Sequence, residues 1–306
     1  MVYLRRLLFI FPLLLSSCGL FTGPTYDNYR PDRERGRTLT VWMLSDIQPV
    51  TIPGRHVFER AINDTDRGVT EVNLAVIAGD LLQARSQAES FEWFLSTRKR
   101  SSIHNWYEIA GNHDVRSGPV FHQYIKKPGH YGVRVGNILF LLLSDESTAS
   151  RTDISDSAFQ WWRKAVRNNQ QDIIITVTHA QLLHSGLFAS FVPSRRIADS
   201  RRFEKVLREE KVAIWASGHS HLPQGMWGTI SIERELGGTC FVNVSAIRED
   251  AFMDSQSRFF IFEDGSDVVW IRSRNHTKGR FDAGLDVPLK LDRPFAWNGK
   301  APELVL

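Results

Sequence analysis

Five apolar runs of the chain end in the same kind of chemistry. "TVWML" is followed by Asp46 and Gln48, "NLAVIAG" by Asp80, and "YEIAG" by Asn112, His113 and Asp114. "DIIITVT" leads to His179, and "VAIWASG" to His219 and His221. A single Asp or His after a strand is ordinary turn chemistry. Five in one chain point to a shared site. Carboxylate and amide oxygens combined with imidazole nitrogens form a hard-to-borderline ligand set, suited to manganese, iron or zinc and, without a thiolate, poor for copper(I). The candidate ligands Asp46, Gln48, Asp80, Asn112, His179, His219 and His221 exceed what one ion takes, which points to two ions sharing a bridging carboxylate.

The elements that must position these groups are legible in the apolar pattern. Short runs such as "NLAVIAGD", "NILFLLLSD" and "DIIITVTHA" read as buried strands, separated by amphipathic stretches of helical length. Arg55 to Arg67 places Phe58, Ala61 and Ile62 on one helical face, and Phe203, Val206 and Leu207 repeat the pattern. In "SDSAFQWWRKAV", Ser157 and Gln160 have capping-box spacing, with Phe159, Trp162 and Val166 on one face behind them. Trp161, Trp162 and Trp215 fall at core positions. This alternation is that of an α/β protein, in which ligands gather beyond the carboxyl ends of the strands. Gly136 and Asn137 predict a hairpin turn. The stretch after Gly237 predicts a second, more antiparallel sheet, and the last thirty residues are expected to wrap the surface.

The ordered motifs "SDIQ", Gly79-Asp80, "GNHD" from Gly111 to Asp114, "TH" at His179 and "GHSH" from Gly218 to His221 resemble those of the calcineurin-like metallophosphoesterase superfamily. The resemblance extends from Leu39 to about Arg274. It implies a four-layer α/β/β/α sandwich of two mixed sheets with flanking helices. It also implies a first ion on Asp46, Gln48 and His221, a second on Asn112, His179 and His219, and Asp80 bridging both. Two ions about 3.5–4 Å apart would polarise the phosphoryl oxygens and lower the pKa of a bridging water, so that hydroxide attacks in line. By the same resemblance His113 is the proton donor to the leaving group, and Asp114 orients its ring and favours the charged form. Most members carry His where this chain has Gln48. The substitution moves the expected metal pair (Mn, Fe, Zn or Mg) toward manganese. Arg116 is a candidate for contact with a substrate phosphate. Arg195 and Arg196, in the long loop after His179 that also holds His184, could cap the site.

The N-terminus has its own pattern. Arg5 and Arg6, an apolar run from Leu7 to Leu15, then Ser16 and Ser17 form a secretory signal too short to span a bilayer comfortably. "LSSC" resembles a bacterial lipobox, which makes Cys18 the lipidation site and leaves Cys240 as the only remaining thiol. The expected division is residues 1–17 signal peptide, 18–37 lipidated tether, 38–275 metallophosphoesterase domain and 276–306 C-terminal extension packed on the domain. The net charge of +4 is scattered and implies no specific nucleic-acid partner. The expectation is an extracytoplasmic, membrane-anchored phosphoesterase. Its rival is a surface binding or adhesion lipoprotein with a degenerate phosphoesterase fold.

Overall fold

The computed structural model describes residues 37–49, 52–146, 152–249 and 253–305. The signal sequence, Cys18 and the rest of the tether up to residue 36 lie outside the described residues. In chain order the first elements are β1 (Thr38–Leu44), α1 (Ile52–Gly68), β2 (Val72–Ile77), α2 (Ala88–Lys99), β3 (Trp106–Glu108), α3 (Asn112–Val115) and α4 (Pro119–Tyr124). Next come β4 (His130–Val135), β5 (Ile138–Leu143), α5 (Asp156–Asn168), β6 (Ile173–Thr178), α6 (Ser200–Glu209) and β7 (Ile214–Ser217). The chain closes with β8 (Ile230–Glu233), β9 (Thr239–Asn243), β10 (Gln256–Glu263), β11 (Val268–Asn275), β12 (Arg280–Phe281), β13 (Val287–Lys290) and β14 (Glu303–Val305). No described helix is long and apolar enough to cross a membrane.

These strands form two mixed sheets. One has the order β12-β11-β10-β1-β2-β3, with β13 also on β11; the other runs β14-β4-β5-β6-β7-β9-β8. β1, β2 and β3 are mutually parallel in the first, as are β5, β6, β7 and β9 in the second. Strands buried on both faces must be apolar on both faces, and β5 (ILFLLL) is buried at every residue. Between the sheets lies one core, with Val41, Met43, Val76, Phe140, Ile175 and Val242 among its members. Trp42, Phe58, Phe91 and Phe94 seal α1 and α2 onto the outer face of the first sheet. Trp162, Phe203 and Trp215 seal α5 and α6 onto the second. The four-layer α/β/β/α architecture expected from the motifs is the one observed.

Four local expectations need correction. The strands after Gly237 do not make a separate antiparallel sheet: β9 joins β7 in parallel, while β10 and β11 add to β1 in the other sheet. An apolar strand sequence does not say which of two apolar sheet edges it will complete. The cap of α5 is Ser155, whose Oγ accepts the Ala158 N–H, two residues before the box read at Ser157. Trp161 is only half-buried, whereas Trp162 and Trp215 are fully buried. The final segment does more than wrap the surface, since it supplies the strands β13 and β14 and buries Phe295 in the central core.

Candidate metal centre

The parallel strands of both sheets point their carboxyl ends at one edge, and the polar groups follow directly. Asp46 and Gln48 come after β1, Asp80 after β2, and Asn112 opens α3 just past β3. From the facing sheet come His179 after β6, and His219 and His221 after β7. Bonds across the gap tie the two sets together. The His219 N–H donates to Asp46 Oδ2 at 2.9 Å, and His179 Nδ1 donates to the Ala78 carbonyl at 2.8 Å. Such close approach leaves no room for side chains at the preceding residues. A Cβ on Gly218 would collide with Ser45 and Asp46, and Gly79, at φ +86°, lies against the His179 ring.

Asp46, Gln48, Asp80, His219 and His221 all have left-handed backbone, with φ of 53°, 30°, 55°, 63° and 48°. Only nine described residues other than glycine do so, and five of them are here. Each costs on the order of 1 kcal/mol or more and persists only where the surroundings impose it. Strain of this kind gathers where side chains are aimed for a purpose rather than for stability.

Asp80, Asn112, His179 and His219 converge. Around His179 Nε2 lie Asp80 Oδ2, Asn112 Oδ1 and His219 Nδ1, each at 3.1 Å. The tautomers follow from the outer nitrogens. His179 gives its Nδ1 proton to Ala78, and His219 gives its Nε2 proton to the Ser194 carbonyl at 2.7 Å. Unless a proton or a cation stands between them, the two inner nitrogens therefore present lone pairs to each other, beside a carboxylate and an amide oxygen. Lone pairs so arranged need a cation among them, and imidazoles whose far nitrogens are pinned by carbonyls are characteristic metal ligands. The set fits a divalent ion. Burial opposes charge on His179, but Asp80 and Asp46 outweigh it and raise its pKa to about 10. Burial, with positive His179 beside it, pushes His219 down to about 4. The site's demand for positive charge falls on one ring.

Asp46, Gln48 and His221 are arranged differently. Asp46 Oδ1 accepts from His221 Nε2 at 2.9 Å, and Oδ2 takes the Ser45 hydroxyl as well as the His219 N–H. Burial alone would raise the Asp46 pKa, yet His221, His179 and Ser45 hold it well below the carboxylate range. Gln48 donates from Nε2 to Asp80 Oδ2, and its Oε1 accepts from Arg248 Nη1 at 3.1 Å. The same Nη1 stands 3.4 Å from His221 Nδ1. Nothing in the sequence singled out Arg248, a lone arginine after a strand.

His113 stands half-buried at the rim of the site. Its backbone N–H donates to Asp80 Oδ1 at 2.8 Å, and its Nδ1 accepts from the Ala84 N–H at 3.3 Å. The expected pairing of Asp114 with this ring is not formed. Asp114 is buried and turns the other way, its oxygens taking the N–H groups of Gly111 (2.9 Å), Leu81 (3.0 Å) and Leu82 (3.2 Å). Burial and the nearby Asp80 charge raise its pKa, against these three donors. It clamps the "GNHD" turn to the Asp80 loop, a role invisible in sequence because its partners are backbone amides. Burial also lowers the His113 pKa, so the charged ring expected from an Asp114 partner is not favoured. Arg116, half-buried, caps the C-terminus of α3. Arg195 reaches the His219 carbonyl at 3.0 Å, while His184 pairs with Glu204 at 2.8 Å.

The sequence profile described as calcineurin-like phosphoesterase matches residues 39–223. Among solved structures, a dimetal phosphatase from Danio rerio superposes with a TM-score of 0.63 at 13% identity, covering 83% of this chain and 99% of that one. A purple acid phosphatase from yellow lupin gives 0.62 at 14% identity, covering 84% of this chain and 55% of that one, so the chain spans about half of the lupin enzyme. GAP50, the anchor in the inner membrane complex of Plasmodium, gives 0.60 at 11% identity over 84% of this chain and 90% of its own. These likenesses establish a shared fold, and that fold is found under both enzymes and an anchor protein. A search of curated protein sequences finds no significant match.

Proposed function

The chain belongs to the calcineurin-like phosphoesterase family, and on that premise we propose that it hydrolyses phosphomono- or phosphodiesters outside the cytoplasm. It is a metal-dependent phosphoric ester hydrolase. The observation that carries the reading is the convergence of Asp80, Asn112, His179 and His219 on one point at the strand ends. A divalent ion held there supplies Lewis-acid charge to the phosphoryl oxygens and acidifies bound water.

The remaining steps fall to side chains. With Nδ1 accepting from Ala84, the neutral His113 ring carries its proton on Nε2, and this N–H donates a hydrogen bond to the departing oxygen as negative charge develops there. Ala84, rather than Asp114, sets that tautomer. In this reading, which for Arg116 rests on its position two residues after the "GNHD" turn, that residue meets an outer phosphate oxygen. Membrane attachment through Cys18 rests on the sequence motif.

The test is a hydrolysis screen of the full chain in detergent, loaded with manganese, against mono- and diester substrates. Turnover of one class, abolished by chelator, is expected. Metal binding without turnover of any ester would favour the binding lipoprotein. His113→Ala should slow substrates with alkoxide-like leaving groups by ~10² while leaving p-nitrophenyl esters and metal content nearly unchanged. Equal losses for both substrates would make the residue structural. Cys18→Ala should leave an unprocessed precursor or a protein freed from the membrane fraction.

A further inference from the structure

Arg248 lies beyond the carboxyl end of β9, the neighbour of β7 on the same edge that carries the metal centre. Its backbone is anchored rather than loose. The Ile247 N–H donates to the Ser45 carbonyl at 3.0 Å, and the Ile247 side chain is buried with Trp42, Leu44 and Phe58. From that anchor the guanidinium reaches Gln48 Oε1 and His221 Nδ1, both through Nη1.

The orientation of Gln48 follows from its two neighbours. With Nε2 on the Asp80 carboxylate and Oε1 on the guanidinium, each end of the amide meets its complement. Turned over, the amide would face lone pair against lone pair and donor against donor. His221 is committed likewise, since Nδ1 faces the guanidinium and Nε2–H donates to Asp46. The Gln48 oxygen and the His221 nitrogens, which an ion at this position would need, are therefore engaged by Arg248 and Asp46.

We propose that Arg248 supplies the positive charge at the Asp46, Gln48 and His221 position. The enzyme then works with one tightly held ion, at Asp80, Asn112, His179 and His219, and a guanidinium beside it that receives a phosphoryl oxygen of the substrate. Guanidinium is permanently charged, is less strongly hydrated than ammonium and carries five donors in a fork that matches phosphate. Gln48 suits this arrangement because it links carboxylate to guanidinium without adding charge. The proposal rests on the phosphoesterase reading and refines which charges that reading uses.

Full-length protein in detergent, loaded with manganese and freed of loose ion by gel filtration, provides the test through elemental analysis and electron paramagnetic resonance. The expected result is one manganese per chain with the six-line spectrum of an isolated ion. Arg248→Ala should take up a second manganese and show an exchange-coupled spectrum, while Arg248→Lys keeps the one-ion stoichiometry. At one equivalent of manganese, inhibition by inorganic phosphate should weaken ~10-fold or more in the alanine variant. Two manganese ions of similar affinity and a coupled spectrum in the unmodified protein would overturn the proposal while leaving the phosphoesterase reading intact, and this holds even if the alanine variant fails to fold. A chain that neither binds manganese nor hydrolyses esters would remove both.

Discussion

Two regions of the molecule gather nearly the same residue types and do opposite things with them. At the strand ends, Asp80, His179 and His219 direct lone pairs at one another. Behind the first sheet, Trp42 Nε1 donates to Ser257 Oγ (2.8 Å), which donates to His276 Nε2 (2.7 Å). His276 Nδ1 in turn donates to Asp64 (2.8 Å), and Arg274 holds that carboxylate with two N–H groups. The Ser257, His276 and Asp64 series has the connectivity of a nucleophilic triad. Yet Ser257 and His276 are buried, and along the chain each donor meets an acceptor. What separates the regions is satisfaction. The interior chain is closed and stabilises the fold, while the rim cluster turns its donor atoms toward one point, where a cation satisfies them.

Breaking the rim should give the largest effect. His179→Ala is expected to lose the tightly bound ion and to lower hydrolysis by ~10³ or more, since the Lewis acid is worth several kcal/mol of transition-state stabilisation. The metal-free variant should stay folded and lose less stability than a break in the interior chain causes, although Asp80 and Asp46 lose the positive ring beside them. A variant that unfolds while the parent's metal-free form does not would erase the distinction between the regions.

Breaking the interior chain should do the reverse. Asp64→Ala leaves Arg274 and His276 buried without their anion and should cost about 3–5 kcal/mol in denaturant unfolding, with metal stoichiometry unchanged. Acid sharpens the same contrast. Burial alone would raise the Asp64 pKa, but His276 and Arg274 lower it from 3.8 to about 2, so its stabilisation is complete above pH 3.8 and is lost as pH falls toward 2. Burial lowers the His276 pKa despite Asp64, so stability also declines as pH falls below 6.5, where the unfolded chain takes up the proton first. Both groups act in one direction. Unfolding midpoints measured from pH 7 to pH 2 should fall throughout, and Asp64→Ala should flatten the limb below pH 4.

The smallest effect is the most pointed. Ser257→Ala should cost about 1 kcal/mol of stability and leave ester hydrolysis untouched. A loss of hydrolysis with stability intact would mean that the interior chain is catalytic after all.

Much of the rim was readable because its signals are local. Each polar group directly follows an apolar run, and a glycine precedes Asp80, Asn112 and His219. Where the reading failed, the partner was a backbone group or a distant side chain. Asp114 looked like a companion of His113 because they are adjacent, but its oxygens were claimed by amides of Leu81 and Leu82, more than thirty residues away.

By itself the sequence determined which residues end the strands, which faces are buried and which metal-seeking side chains are delivered to the edge, for periodicity and composition act within a few residues. Only the tertiary structure decided how those side chains share their hydrogen bonds. Gln48 meets Arg248 across 200 positions and Asp64 meets His276 across 212, contacts that exist only because two sheets pack face to face and a late strand pairs beside the first. No local pattern encodes them, since the free energy that selects them belongs to the assembled sandwich.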